Sequence, residues 1–144
     1  MSQSVYLVGI DLGTSGVRAV VLDSRGQLKG VGAQEYPINT PRPGWAEQDP
    51  AEWVTAATQA VRQALAQADI PSSQISGLGL SGQMHTAVCL DRDGRVLRPA
   101  IVWADQRSQV QVAEIYQKLG RERLAAWTAI ALATGFTLAS LLWL

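Results

Sequence analysis

Val8-Gly9-Ile10-Asp11-Leu12-Gly13-Thr14-Ser15-Gly16-Val17-Arg18-Ala19 is the stretch whose reading decides the fold: an apolar strand runs straight into an acid, two small hydroxyls and glycines. Gly13 and Gly16 are expected to turn with positive φ and let a ligand approach, while Thr14 and Ser15 offer hydroxyl and amide donors to phosphate oxygens. Asp11, at the strand's end, is the candidate metal and phosphate organiser. Magnesium prefers oxygen and keeps most of its water, so one carboxylate plus phosphate oxygens is a chemically sufficient site. The stretch lacks the Gly-Lys-Ser/Thr ending of a P-loop and the Gly-x-Gly-x-x-Gly of a dinucleotide fold. It also resumes as a strand where both of those motifs open a helix.

Working outward, extended segments are expected over residues 5–11, 17–23 and 27–36, with Ser24-Arg25-Gly26 as a hairpin turn. A Pro-rich crossing over 37–49 reads as a loop. Asp49-Pro50-Ala51-Glu52 then carries helix-start chemistry: a capping acid, proline at the first position and glutamate two residues later. Trp53, Ala57, Ala60, Val61, Ala64, Leu65 and Ala68 recur at helical spacing, leaving Thr58, Arg62 and Gln67 for solvent. Pro71-Ser72-Ser73 stops the helix, and residues 75–80 read as a buried strand ending at Ser81-Gly82-Gln83-Met84-His85. Further strands are expected over 86–90 and 96–103, turning at Asp91-Arg92-Asp93-Gly94. Hairpins plus one crossover helix imply an α/β fold, a mixed sheet with flanking helices.

Composition sets the outer bounds. The 144 residues are 47% hydrophobic and the charges balance at 12 bases and 12 acids, which gives no electrostatic case for nucleic acid or an anionic membrane surface. Cys89 is the single cysteine, expected as a buried thiol without a disulfide, which suits a reducing, cytoplasmic location. The N-terminus has no basic region of the kind that opens a secretory signal.

Gln83, Met84 and His85 lie where open α/β sheets bind ligands, at the carboxyl end of a strand. The imidazole and the Gln83 amide can donate and accept hydrogen bonds to a polyhydroxylated substrate. Trp103 and Asp105 end another strand with an aromatic face and a carboxylate, a pairing suited to a sugar's apolar C–H faces and hydroxyl edges. Taken singly, each of these has an ordinary structural explanation in packing or a core hydrogen bond. Together with the phosphate turn they point to a ligand.

The first hairpin resembles that of the actin-like ATPase superfamily, with its ribonuclease H-like core. Further motifs narrow the likeness: Gly44-Trp45-Ala46-Glu47-Gln48-Asp49-Pro50, Gly79-Leu80-Ser81-Gly82-Gln83-Met84-His85, Pro99-Ala100-Ile101-Val102-Trp103 with Asp105 and Arg107, Thr134-Gly135-Phe136-Thr137, and Leu141-Leu142-Trp143. In this order they resemble the FGGY carbohydrate kinase family, and the Gln-Met-His form resembles its xylulokinase branch.

That resemblance implies transfer of the ATP γ-phosphate to a ketose or polyol hydroxyl with Mg²⁺, in a cleft between two actin-like domains. It places Asp11 on metal and phosphates, Gly13, Thr14 and Ser15 on the phosphate tail, and Met84 and His85 on the sugar, with Trp103 and Asp105 as further sugar candidates beside the Gln83 already read from its amide. Residues 1–144 would form the N-terminal part of the first kinase domain, with sheet and crossover helix over 1–105 and a helical continuation over 106–144. The family's catalytic base and adenine-binding segment match nothing here, so the chain is expected to be inactive alone, either as a kinase fragment whose candidate partners are the C-terminal half or a second copy, or as a non-catalytic nucleotide- or sugar-binding remnant. Ser140 stands where the family often has lysine. A rival reading is a tail anchor: residues 127–144 carry no charge and reach the roughly 18-residue minimum for a membrane span.

Overall fold

Alternating small and β-branched residues fit the pleat of a half-buried strand, and the first three segments take that form. The computed structural model describes residues 5–144. It places β1 at Tyr6–Leu12, β2 at Gly16–Asp23 and β3 at Leu28–Glu35, paired antiparallel in succession. The turn between β2 and β3 is held by the Asp23 carboxylate, which accepts the N–H groups of Arg25 and Gln27 at 2.9 Å each. The expected loop contains a two-residue strand, β4, Glu47–Gln48, and the crossover helix α1 follows at Pro50–Ala68. Strand β5, Ile75–Ser81, then lies parallel to β1, which makes the sheet mixed, in the order β3-β2-β1-β5.

Helix α1 buries Trp53, Ala56, Ala60 and Ala64. Its backbone comes so close to β3 that a Cβ on Gly32 would sit 1.9 Å from the Ala60 carbonyl oxygen. Gln67 is exposed, as expected, and its side chain also accepts the Val31 N–H at 2.7 Å, while Gln63 accepts that of Ala33 at 3.1 Å. The reason is topological: β3 is an edge strand whose outer N–H groups have no strand partner, and the helix glutamines satisfy them.

Strand β5 departs from expectation. Leu78 and Leu80 are 63% and 69% exposed, so it is a bare edge strand and not a buried one. An apolar run shows that a strand is built for cover on both faces, but not that the cover lies within the same stretch of chain.

Contact density divides the chain into two compact units: residues up to Pro37 with Ala51–Gln83, and Ile38–Pro50 with Met84–Leu144. The division expected at residue 105 therefore falls inside the second unit. There β4 pairs antiparallel with β6, Ala100–Ile101. The strands expected over 86–90 and 96–103 shrink to this pair and to bridges at Ala87–Ile101 and Leu90–Val96. Pro99, without an N–H, interrupts the ladder between them. Helices α2 (Gln109–Leu119), α3 (Arg121–Thr128) and α4 (Thr137–Trp143) complete the unit, with Ile101, Val102, Ile115, Leu124 and Ala139 in its core. Cys89 is half-buried, where a buried thiol was expected, and makes no disulfide. The uncharged stretch 127–144 is broken by Ala129 in the left-handed conformation and by the loop before α4. Among the described residues no helix is long and apolar enough to cross a membrane.

Candidate functional site

In the first unit, β1 and β2 converge with Leu12 opposite Val17, and the turn between them closes with the Gly13 N–H donating to the Gly16 carbonyl at 2.9 Å. Positive φ was expected at Gly13 and Gly16, yet neither adopts it. Space is what requires glycine at Gly16: a Cβ there would lie 2.5 Å from the Gln34 carbonyl oxygen of the neighbouring strand. The Gly13 carbonyl accepts two side-chain hydrogen bonds, from Gln83 Nε2 at 3.0 Å and from the Tyr36 hydroxyl. Tyr36 also donates its N–H to the Ser15 carbonyl at 3.3 Å.

The turn is thus pinned by its carbonyls, while Asp11 and Ser15 stay exposed and Thr14 is half-buried. Gln83, a sugar candidate by sequence, commits its amide N–H to this turn. Tyr36 escaped the sequence reading, although the pairing of Gly16 with Glu35 puts the residue that follows β3 beside the turn. Burial pushes the Tyr36 phenol above its usual range; a hydrogen bond from Gln83 opposes this and the charge of Asp11 adds to it.

Among the described residues no three His, Cys, Asp or Glu side chains gather to hold a metal. A single exposed carboxylate at a phosphate turn fits a magnesium ion that arrives on a nucleotide's phosphates and keeps its water, not a caged resident ion.

In the second unit, Met84 is 78% and Trp103 51% exposed, and His85 is half-buried at φ +61°. The half-open indole and the imidazole suit the C–H faces and hydroxyls of a polyol. Asp105 does not join them. It is 1% exposed and both oxygens are engaged: Oδ1 accepts the Arg107 N–H at 2.8 Å and Nε at 2.9 Å, and Oδ2 accepts the Ala46 N–H at 2.6 Å and Arg107 Nη2 at 2.7 Å. Four donors on two buried oxygens leave nothing for a sugar hydroxyl, so Asp105 is placed as a structural anchor.

Arg107 extends the network. Its Nη1 reaches Glu47 Oε1 at 2.7 Å, where Arg98 Nη2 also binds at 2.8 Å, and its Cζ lies 3.7 Å from the Trp45 ring centroid and 4.9 Å from that of Trp143. Burial works against the Asp105 carboxylate, but the Arg107 and backbone hydrogen bonds outweigh it and hold the group below the usual carboxylate range. Burial works against the guanidinium too, and the same bonds hold Arg107 above its usual value. Ser140, in the position where lysine was anticipated, has a buried hydroxyl without a hydrogen-bond partner.

Three comparisons bear on this pair of surfaces. The N-terminal domain of the FGGY family of carbohydrate kinases matches residues 6–144. A xylulose kinase from Lactococcus lactis is 39% identical over 96% of this chain and 28% of its own length, and a glycerol kinase from Thermococcus gammatolerans is 34% identical over the same shares. The crystal structure of a xyloylose kinase from Brucella ovis superposes with a TM-score of 0.88 at 41% identity, over 96% of this chain and 28% of that one. The chain spans a little over a quarter of the length of the relatives it matches, and it belongs to the FGGY family of carbohydrate kinases, as their N-terminal domain.

Proposed function

We propose that this chain supplies the phosphate turn and part of the sugar wall of an ATP-dependent ketose kinase, one that converts D-xylulose to D-xylulose 5-phosphate. The carrying observation is the bond from Gln83 to the Gly13 carbonyl. It holds Gln83 on the phosphate turn within the first unit, and Met84-His85 come next in the sequence. Glycerol kinases match the chain as well, so the choice of a ketose rests on Met84 and His85, an apolar thioether and an imidazole.

In this reading the amides and hydroxyls at Gly13, Thr14 and Ser15 hold the nucleotide's phosphate oxygens, and Asp11 orients the water shell of Mg²⁺. The ion, when bound, neutralises charge on the transferring phosphoryl group. His85 takes sugar hydroxyls, Met84 faces the carbon chain and Trp103 offers its half-open ring. Phosphoryl transfer further needs a base on the attacking hydroxyl, and Asp105 is closed to that task. Isolated residues 1–144 therefore bind without turning over. The proposed setting is the cytosol, where ATP and a free thiol such as Cys89 coexist.

Calorimetry with D-xylulose, glycerol and gluconate, each with and without MgATP, tests the reading. Weak millimolar heats for D-xylulose alone among the three are expected, since half a cleft forms only part of the contacts while the ligand still loses its freedom. No heat with any sugar sinks the proposal, and ketose-dependent ATP consumption by the isolated chain overturns its inactivity.

A further inference from the structure

Both aromatic side chains assigned to the sugar rest on one dipeptide of the second unit. The ring of Phe136 lies face to face with His85, with centroids 4.0 Å apart and planes 7° from parallel. Its neighbour Gly135, at φ +76°, comes so close to the strand end before α2 that a Cβ would sit 1.9 Å from the Trp103 carbonyl oxygen and 3.0 Å from that of Asp105. Only glycine combines this backbone conformation with that approach. The dipeptide is itself rooted: the Phe136 carbonyl accepts the Ser140 N–H at 3.0 Å in the first turn of α4, where Ala139 and Ser140 are buried.

His85 needs such a support. Its φ of +61° is uncommon for a residue with a Cβ and persists only where the surroundings impose it. On one side His85 and Phe136 line a cavity of about 150 Å³ whose other walls include Leu124, Ile130, Leu132 and Leu138. Walls of that kind hold an imidazole by shape, with few hydrogen bonds to choose its orientation. Among the described residues, the ring contact of His85 is the stack on Phe136. A face-on stack fixes the plane of the ring and leaves both nitrogens at its edge for hydroxyl groups.

We infer that Phe136 is a positioning residue for His85, and that Gly135 sets Phe136 in place while bracing the backbone of Trp103. The inference rests on the reading of His85 as a sugar contact, and it assigns the orientation of that contact to a segment some fifty residues further along the chain. Ketose affinity then depends on an aromatic ring at position 136 that does not itself touch the sugar.

The chain contains one histidine, so its imidazole carbon–proton resonances are unambiguous in a ¹³C-edited NMR spectrum. In the unaltered protein they are expected upfield of free histidine, since a ring face shields protons stacked over it. Phe136→Leu should return them to ordinary positions and weaken the D-xylulose titration about two- to tenfold, the range of an aromatic pair. Phe136→Tyr, which keeps the ring, should preserve both. Unshielded resonances in the unaltered protein overturn the inference, as does a folded Phe136→Leu variant that binds D-xylulose unchanged. Should Phe136→Leu not fold, the unaltered protein and Phe136→Tyr still decide. Shielded resonances that D-xylulose leaves unmoved would uphold the stack and sink the sugar reading.

Discussion

Replacing Arg107 by methionine tests the energetic centre of the second unit. The guanidinium is 1% exposed, contacts Asp105 at 2.7 Å and Glu47 at 2.7 Å, and lies over the ring of Trp45 with Trp143 beside it. Methionine fills much of the same volume but leaves the buried Asp105 carboxylate without its cation, while Glu47 keeps Arg98 at 2.8 Å. Breaking a buried pair by removing one partner costs about 3–5 kcal/mol, a large share of the roughly 5–15 kcal/mol that holds an ordinary domain together. The sign of the pH dependence separates this from a packing defect. In the unaltered protein the Asp105 carboxyl sits below its ordinary 3.8, so its contribution is present above about pH 4 and is lost as pH falls through the lower folded value. Without Arg107, burial is opposed mainly by backbone N–H groups. The folded value rises, and protonation relieves the buried charge as pH falls. The penalty is therefore largest at neutral pH and shrinks toward about pH 4, leaving the lost ring contacts, about 1–2 kcal/mol. Four of the five tryptophans lie in this unit, so urea melts followed by tryptophan fluorescence at several pH values report on it. A penalty below about 1 kcal/mol at pH 7, or one that grows on acidification, refutes the reasoning.

In the first unit, Gly32→Ala drives a Cβ into the Ala60 carbonyl, and the overpacking should cost about 1–3 kcal/mol and lower the thermal midpoint. Tyr36→Phe removes one of two donors to the Gly13 carbonyl and should cost about 1 kcal/mol at pH 7. Because the folded Tyr36 phenol titrates above its ordinary 10.0, its contribution is complete below that pH and fades above it, so denaturant melts of protein and variant should converge in alkali. Asp11→Asn, at an exposed position, should leave the melting curve within about 0.5 kcal/mol while removing the Mg²⁺ dependence of any nucleotide heat in calorimetry. Ser140→Ala deletes a buried hydroxyl that has no partner and should be neutral or stabilising by up to about 1 kcal/mol in the same melts; a loss of more than that would show that the hydroxyl is bonded.

What the sequence disclosed was what neighbouring residues decide together. The β1–β2 hairpin, the start of α1 at Pro50 and its stop before Pro71 are set by turn, capping and periodicity signals a few residues long. The role of Asp105 was hidden because one of its donors, the Ala46 N–H, lies 59 positions away, and because its two-residue link to Arg107 looks the same whether the arginine folds back or reaches out. Gln67 is exposed as its spacing indicates, but its bond to the Val31 N–H was hidden for a related reason. Helical periodicity marks it as outward, but it cannot show that an edge strand with open N–H groups waits there. Glycine was read as a conformational signal at Gly13 and Gly16, while the structure uses Gly16 for clearance from Gln34.

The uncharged stretch 127–144 shows why composition alone misleads. A membrane helix presents its large apolar residues outward along an unbroken cylinder and pairs every backbone group within itself. Here the chain leaves α3 through Ala129 at φ +59°, and the single proton of the Thr128 hydroxyl is shared between the Leu124 carbonyl at 2.9 Å and the Ile130 carbonyl at 2.8 Å, which ties the chain locally where a helix would continue. The Tyr116 hydroxyl takes the Leu132 carbonyl, and Gly135 turns again at φ +76°. What remains, α4, has seven residues and buries its small ones, Ala139 and Ser140, while Leu138, Leu141 and Leu142 stay exposed. Small residues inward allow close approach of backbones, and Phe136, at the head of α4, stacks on His85. Leucines outward are surface that this unit does not cover, as are Leu78 and Leu80 in the first. Both are apolar surface of the kind that marks a contact with another chain segment or partner, and charged substitutions at Leu78 or Leu141 should therefore cost within about 0.5 kcal/mol in melts of residues 1–144.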